Sequence, residues 1–215
     1  MPKRAPADQN NYEVALQIAQ ARWQAMDPEP QAQRCGAECL VSTDEVRVAL
    51  TFLYRTYHVT HPKGHIFLVN GNMPPEVWEQ ILILHYLTSE RQVSDPEKLI
   101  AFNEIPDGRF YDATFQKRTT QQLLRVFSAQ PELLRTAARI LGAEFTALGD
   151  FSFRLQAFPM INLHFLFWRG DAEFPPEASL LMEKRIQAFL NAEDIAVLGG
   201  MAVGALIRIA DKIKE

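Results

Sequence analysis

Several segments of the chain carry apolar residues at helical spacing. Residues that recur every three or four positions place their side chains on one side of a helix. Tyr12, Ala15, Ala19 and Trp23 follow this spacing, and prolines at positions 28 and 30 stop the pattern. We predict helices over residues 11–26, 76–89, 113–127, 131–141 and 192–212.

Other segments alternate with a period of two, which is typical of strands. From residue 45 apolar and polar side chains alternate, and β-branched and aromatic residues continue to residue 60. Residues 161–168 are apolar and aromatic except for Asn162 and His164, so we predict a buried strand there. Strands are predicted over residues 45–60, 66–69, 150–158 and 161–168, with 98–105 as a short strand or an extended segment.

These elements predict an α+β fold in which an antiparallel sheet packs against several helices in a single domain. We expect residues 45–69 to pair with residues 150–168 in that sheet. Residues 1–10 are predicted to be a flexible N-terminus, and residues 11–215 the domain. A single domain of this size would bury about 70% of the surface of its unfolded chain, which leaves room for a large core.

Composition narrows the class of protein. Hydrophobic residues make up 47% of the chain and charged residues 22%, as in ordinary globular proteins. The net charge is −4 and no long basic run is present, so we expect no nucleic-acid partner. No apolar segment follows the two basic residues near the start, so we expect a cytoplasmic protein without a membrane anchor. Cys35 and Cys39 make up half of a zinc site at most, and unpaired thiols are the simpler interpretation.

The strongest candidate for chemistry is an acidic loop after the apolar run that ends at Trp168. Gly170, Asp171, Glu173 and two prolines follow Trp168 closely. In an extended loop the two carboxylates project to the same side, where they could bind a divalent cation or share proton transfer. They could also form structural ion pairs with Arg109 or Arg118, which is the more common use of such carboxylates.

Three further residues complete the predicted site. Tyr111 and Arg118 are seven positions apart near a helix start and could offer a hydroxyl and a fixed cation to a ligand carboxylate or phosphate. His85 lies at the edge of an apolar helix face, where a neutral imidazole could ligate the metal of a haem or corrinoid. The alternatives are a solvated arginine and a core histidine that hydrogen-bonds a carbonyl.

Several sequence words resemble one known family. They are ILILHYL at residues 81–87, FNEIPDGRFYDATFQKR at 102–118, WRGDAEFPPEASLL at 168–181 and AEDIAVL at 192–198. In this order they resemble a domain-of-unknown-function family of anaerobic bacteria and archaea, DUF3786, over residues 11 to about 207. The family positions that are polar here are His85, Tyr111, Arg118, Asp150, Trp168, Asp171, Glu173 and Asp194.

The resemblance implies a connection with the corrinoid and iron–sulfur chemistry of anaerobes. Some members of the family carry an iron–sulfur-binding segment ahead of this domain. This chain has no four-cysteine segment, which puts a cluster of its own in doubt.

Together these observations predict a binding domain for a cofactor or metabolite, with a tetrapyrrole such as haem or a corrinoid as one ligand. The predicted ligand-binding residues are His85, Tyr111, Arg118, Trp168, Asp171 and Glu173. One alternative is a metal-dependent enzyme that uses Asp171 and Glu173. Another is a subunit that docks on a redox protein through residues 11–26 or 192–212. No phosphate loop, nucleophile elbow or HExxH word is present, so the sequence does not decide whether the protein is an enzyme.

Overall fold

The chain forms two compact units, which are described separately. The computed structural model describes residues 6–43, 45–71 and 74–214. The units are Met1–Arg91 and Gln92–Glu215, and both combine helices with an antiparallel sheet, which confirms the predicted α+β class. The first helix begins at Pro6, while residues 1–5 lie outside the described part, so the flexible segment over residues 1–10 stays a prediction.

The first unit contains a four-stranded sheet and three helices. Its strands pair in the order β1-β2-β3-β4, so each strand is antiparallel to the one that precedes it in the chain. Local hairpins of this kind are the commonest way in which consecutive strands pair. The elements are α1 (Pro6–Gln24), α2 (Pro28–Arg34), β1 (Glu38–Val41), β2 (Val46–Phe52), β3 (Arg55–His61), β4 (Ile66–Leu68) and α3 (Val77–Thr88).

Two buried aromatic residues connect the elements of the first unit. Trp23 is fully buried, and its indole Nε1 donates a hydrogen bond of 2.9 Å to the carbonyl of Thr60, which fixes α1 on β3. The hydroxyl of Tyr86 donates to the carbonyl of Cys35 at 2.5 Å, and the thiol donates to the carbonyl of Tyr86 at 3.4 Å. Burial raises the pKa of the Cys35 thiol to about 11. At neutral pH Cys35 is therefore a protonated packing residue and a poor metal ligand.

The second unit is built on a five-stranded sheet. Its strand order is β5-β9-β8-β7-β6, with every neighbouring pair antiparallel. Two short 3-10 helices, Phe102–Glu104 and Lys184–Ala188, flank the edge strand and its partner. The elements are β5 (Leu99–Ala101), α4 (Gly108–Arg118), α5 (Thr120–Phe127), α6 (Pro131–Ile140), β6 (Glu144–Thr146), β7 (Phe151–Phe158), β8 (Ile161–Trp168), β9 (Glu177–Glu183) and α7 (Ala192–Lys214).

One face of this sheet is apolar and forms the core of the second unit. Phe153 and Phe165 lie opposite each other on β7 and β8, and their rings stack with centroids 4.8 Å apart. Helix α7 packs on this core through Gly199, which lies between Phe115 and Leu180. Although α7 has 23 residues, no helix in the described ranges is long and apolar enough to cross a bilayer.

The predicted single helix over residues 113–127 is wrong, because the chain breaks at Thr119. This residue is fully buried with φ −118° and ψ −91°, well outside the helical region. Its hydroxyl donates a hydrogen bond of 2.7 Å to the carbonyl of Phe115, the kind of local bond with which threonine competes against the helix. The break separates α4 from α5 and lets each helix turn its own apolar side chains inward.

The predicted pairing of residues 45–69 with residues 150–168 is also wrong. The two segments form separate sheets. Residues 53 and 54 make a two-residue connection that splits the first segment into β2 and β3, with Leu53 at φ 53°. The prediction also omitted β1, β6 and β9, and β9 is the strand that joins the edge strand β5 to β8.

Adjacent glycines in α7 test the close packing of this helix. A Cβ at Gly199 would lie 2.8 Å from Cε2 of Phe115 and 3.1 Å from Cγ2 of Thr119, whereas one at Gly200 would lie 3.7 Å from Cβ of Arg118. We expect Gly199→Ala to lower the free energy of unfolding, because overpacking costs about 1–3 kcal/mol. Gly200→Ala should raise it by up to about 1 kcal/mol through helix propensity.

Urea unfolding of both variants measures the difference. The two substitutions have the same intrinsic effect on the helix, so Gly200→Ala is the matched control. An equal gain in stability from both variants would show that α7 does not approach α4 as closely as described.

Candidate functional site

The six predicted site residues divide between the two units. His85 lies on α3 of the first unit and is half-buried. The other five lie in the second unit, on α4, at the end of β8 and in the loop that follows β8. A pocket that contains all six residues therefore stays a prediction.

In the acidic loop, the side chain of Asp171 accepts hydrogen bonds from the backbone of its own turn. Its Oδ1 accepts hydrogen bonds of 2.8 Å from the backbone N–H groups of Glu173 and of Phe174, and its own N–H donates to the carbonyl of Phe174 at 2.9 Å. These backbone hydrogen bonds, first that from Phe174, lower the pKa of Asp171 below its ordinary value. Asp171 thus closes a tight turn, as aspartate often does.

Trp168 has a structural contact of its own. Gly149 has a φ of 72°, and a Cβ there would lie 2.9 Å from the indole Nε1 of Trp168. The indole therefore packs against a backbone position that only glycine fills without strain. This contact connects the end of β8 to the turn before β7.

Tyr111 and Arg118 are exposed on α4. Within the described residues, no hydrogen bond or ion pair joins them to the carboxylates of Asp171 and Glu173. An open cleft of about 360 Å³ beside the acidic loop is lined by Ser128 and by residues 170–176. Neither Tyr111 nor Arg118 contributes to it, and their participation in a site with the loop stays a prediction.

A second cleft lies on the face of the five-stranded sheet opposite the apolar core, beside β7, β8 and β9. Its volume is about 480 Å³. We call it the His164 cleft. It is lined by Glu97, Leu99, Arg154, Pro159, Met160, Asn162, His164, Glu183 and Arg185.

The strand register brings the polar residues of the His164 cleft together. Arg154 on β7 lies opposite His164 on β8, so their side chains share one face. Leu163 pairs with Met182 on the buried face, which places the next residues along, Asn162 and Glu183, opposite each other on the cleft face.

A partly buried carboxylate is the centre of this cluster. Glu183 is only 13% exposed, and its Oε1 accepts a hydrogen bond of 3.1 Å from the side-chain amide of Asn162. Its Oε2 forms an ion pair of 3.0 Å with Nε of Arg185. Both carboxylate oxygens of Glu183 therefore have a partner, which is what a buried charge requires.

The imidazole of His164 has neither a hydrogen bond nor a close ion pair at its Nε2, whereas Nε of Arg185, which also lacks a hydrogen bond, lies 3.0 Å from Glu183. The side chain of His164 is 12% exposed, and its Nε2 lies 3.7 Å from Oε1 of Glu183, too far for a hydrogen bond. This nitrogen is buried and finds no hydrogen-bond partner in the described part of the chain. A buried nitrogen of this kind is rare in folded proteins and points to a missing partner.

Two exposed glutamates hold the arginines at the rim of the cleft. Glu144, which is 69% exposed, pairs with Nη2 of Arg154 from the neighbouring strand β6. Glu97, which is 85% exposed, lies 3.3 Å from Nη2 of Arg185. The segment that carries Glu97 is fixed by the N–H of Arg185, which donates to the carbonyl of Pro96 at 2.8 Å.

The surroundings of His164 favour the neutral imidazole. Burial lowers the pKa of His164 below its ordinary value of 6.5, and the positive charge of Arg154 lowers it further. Glu183 acts in the opposite direction but does not outweigh burial. At neutral pH the ring therefore has one nitrogen that can accept a hydrogen bond or a proton.

The sequence carried a partial signal for this cleft. Asn162 and His164 interrupt an otherwise apolar strand at positions two apart, which is the spacing of one sheet face. The partner that completes the cluster, Glu183, lies on β9, which the sequence analysis did not recognise as a strand. The rim arginines come from other elements, and sequence alone does not show that they converge.

The donor set of the cleft does not resemble a metal centre. In the described ranges of the chain, no group of three or more histidine, cysteine, aspartate or glutamate residues is placed to hold a metal ion. The cleft combines guanidinium, amide and imidazole groups with a carboxylate that is already paired. This chemistry suits recognition of a polar organic molecule.

Histidine titration followed by NMR tests the electrostatics of the cleft. We expect the ring of His164 to titrate below its ordinary pKa of 6.5. Glu183→Gln should lower the pKa further, because it removes the negative charge that favours the imidazolium ion, and Arg154→Gln should raise it. His65 is exposed and lies in the other unit, so its ring resonances are the internal control and should not move with either substitution. Identical pKa values for His164 in all three proteins would contradict the proximity of these groups.

Comparison with known proteins identifies a family but no characterised relative. Neither the curated proteins nor the solved structures give a match. The model of one family, described as a domain of unknown function, matches residues 27–205 and so covers most of both units. The chain therefore belongs to the DUF3786 family.

Proposed function

We propose that the protein binds a small polar metabolite in the His164 cleft. The observation that carries this proposal is the buried Nε2 of His164, which lacks a hydrogen-bond partner in the described residues. A buried polar atom without a partner costs about 1–3 kcal/mol, and a bound ligand that pairs with it removes that cost. The cleft volume of about 480 Å³ is in the range of small-molecule sites.

The cluster around His164 supports a preorganised site. Asn162 and Arg185 hold Glu183 in one position, and β7, β8 and β9 fix the backbone beneath all of these residues. Groups held by a rigid sheet lose little conformational entropy when a ligand arrives. Recognition of a ligand at this place therefore needs little rearrangement.

A tetrapyrrole does not suit the residues of this cleft. Haem and corrinoid macrocycles need an extended apolar slot, and ligand pockets for such groups are lined mainly by hydrophobic and aromatic side chains. Here only Leu99, Pro159 and Met160 are apolar, and the other six lining residues are polar or charged. Binding of a tetrapyrrole elsewhere, with His85 as the axial ligand, rests on the family resemblance alone.

A metal-dependent reaction at the acidic loop has less support. One carboxylate oxygen of Asp171 already closes the turn with Glu173 and Phe174. A metal ion bound by the remaining carboxylate oxygens would need further ligands, and the loop around them is exposed. We therefore place binding at the His164 cleft ahead of a metal-dependent enzyme at Asp171 and Glu173.

Docking on a redox partner is the third proposal, and α1 offers only a small apolar patch for it. Val14 and Ile18 are one helical turn apart and about half exposed, whereas Ala19 and Trp23 on the same helix are buried. Two such side chains make a patch far smaller than typical interaction surfaces. The other predicted docking helix, α7, buries most of its apolar residues.

A thermal-shift screen of a metabolite library tests the proposal. A ligand at about 100 times its dissociation constant adds about 2.7 kcal/mol of stability, which for a chain of this length raises Tm by about 5–10 °C. We expect at least one small polar compound to give such a shift, and His164→Phe to reduce the shift, because it removes the ring nitrogens and keeps an aromatic side chain.

His65→Phe is the matched control, since His65 is exposed and lies in the other unit. A compound that stabilises His164→Phe as strongly as the unaltered protein would bind elsewhere. A library that produces no shift at all would also count against ligand binding in this cleft.

A further inference from the structure

We infer that the ligand of the His164 cleft is a small organic anion whose carboxylate or phosphate group binds between Arg154 and Arg185, and that this anion displaces Glu97 and Glu144 from the two arginines. The inference rests on the proposed function and adds the chemical class of the ligand. Its basis is that three glutamates pair with the two arginines of the cleft, and that two of these glutamates are exposed whereas the third is not.

The two guanidinium groups have donors to spare. Each arginine carries five N–H donors in a planar fork that matches a carboxylate or a phosphate. Arg154 donates a hydrogen bond from Nη2 to Glu144, and Arg185 donates one from Nη2 to Glu97, while its Nε lies 3.0 Å from Glu183 as an ion pair. Both side chains line the cleft, so their remaining donors are available to a molecule inside it.

The rim glutamates are weakly held. Glu97 and Glu144 are the two most exposed acidic partners in the cluster, and the described residues provide neither with a second ion pair across the cleft. Ion pairs between exposed side chains contribute little to stability, because both groups are well solvated when apart. A ligand anion that enters the cleft can therefore displace these carboxylates, which then return to water.

Glu183 is different, and it remains in place. It is only 13% exposed, and Asn162 and Arg185 each pair with one of its oxygens. Removal of these partners would leave a poorly solvated charge without compensation, which is unfavourable. Glu183 therefore positions the guanidinium group of Arg185 and neutralises its positive charge. When the rim carboxylates are displaced, the positive charge of Arg154 beside His164 has no acidic partner other than the ligand.

The remaining lining residues indicate an organic molecule. Leu99, Pro159 and Met160 form an apolar wall beside the charged groups. A bare inorganic ion would leave this wall in contact with water, whereas a short carbon skeleton would cover it. Ligand sites commonly combine such an apolar wall with a few polar groups that fix orientation.

The direct test compares three probes of similar shape by NMR titration of the protein. Benzoate and phenyl phosphate carry the two anionic groups, and benzamide is the neutral analogue. We expect at least one anion to shift the resonances of His164 and of the guanidinium group of Arg154, and benzamide to bind at least about tenfold more weakly, since a charged hydrogen bond is roughly twice as strong as a neutral one. The difference in affinity between benzoate and phenyl phosphate then shows whether the site prefers a carboxylate or a phosphate group.

Variants of the rim test the competition. Glu97→Gln combined with Glu144→Gln should tighten binding of the anion about fivefold or more, because it removes the carboxylates that the anion must displace. Glu132→Gln is the control for net charge, since Glu132 pairs with Arg135 and Arg169 away from the cleft, and it should change the affinity by less than about twofold.

Arg154→Gln should weaken anion binding about tenfold or more, with Arg139→Gln as the matched change at an exposed arginine outside the cleft. Circular dichroism of each variant verifies that it folds. Weaker binding in the double glutamate variant would overturn the inference.

Benzamide that binds as well as both anions, with loss of binding in His164→Phe, would overturn the anionic class and leave the proposed ligand site intact. Absence of any probe-dependent shift at His164 or Arg154 would also overturn the anionic class. The proposed ligand site is judged separately, by the thermal-shift screen with neutral and cationic metabolites.

Discussion

The cross-strand pairing of β7, β8 and β9 is the constraint on which the account depends. Because successive side chains in a strand point to opposite faces, the register from Phe151 to Gln156 on β7, and along β8 and β9, assigns each residue to one side of the sheet. Phe153, Leu163 and Phe165 then form the core, and His164 and Glu183 project from the other face. A shift of one residue in this register would put charge into the core and apolar side chains into the cleft, so the fold and the site are fixed by the same hydrogen bonds.

Much of the architecture could be predicted from spacing alone, whereas the partners of the strands could not. Helices α1, α3, α6 and α7 and the strands β7 and β8 lie close to where the sequence predicted them. The break at Thr119 was not predictable in this way, because it depends on a side-chain hydrogen bond to Phe115 within an otherwise helical sequence. Strand β9 was missed because its segment follows a proline-rich loop and contains residues that also favour helices.

In the candidate site, too, features that depend on neighbouring residues could be predicted, whereas contacts between distant residues could not. Asp171 and Glu173 looked like a functional pair because they are close in sequence, but local proximity is also what lets Asp171 accept hydrogen bonds from its own turn. Glu183 is 21 residues from Asn162 along the chain, and the two meet only because β8 and β9 pair. The residues of this cluster come from β7, β8, β9 and a 3-10 helix, so they are scattered along the sequence. Only Asn162 and His164 stand out there, because they interrupt an apolar strand.

On the proposal made above, the His164 cleft is a site for a ligand and not merely a polar depression of the surface. A crystal structure of the protein purified from its native host without added small molecules tests it most directly. The account predicts electron density for an organic molecule in the cleft, with one of its polar atoms within about 3.2 Å of a ring nitrogen of His164. Density for ordered water alone in the cleft, or a bound organic molecule at another place on the protein, would contradict it.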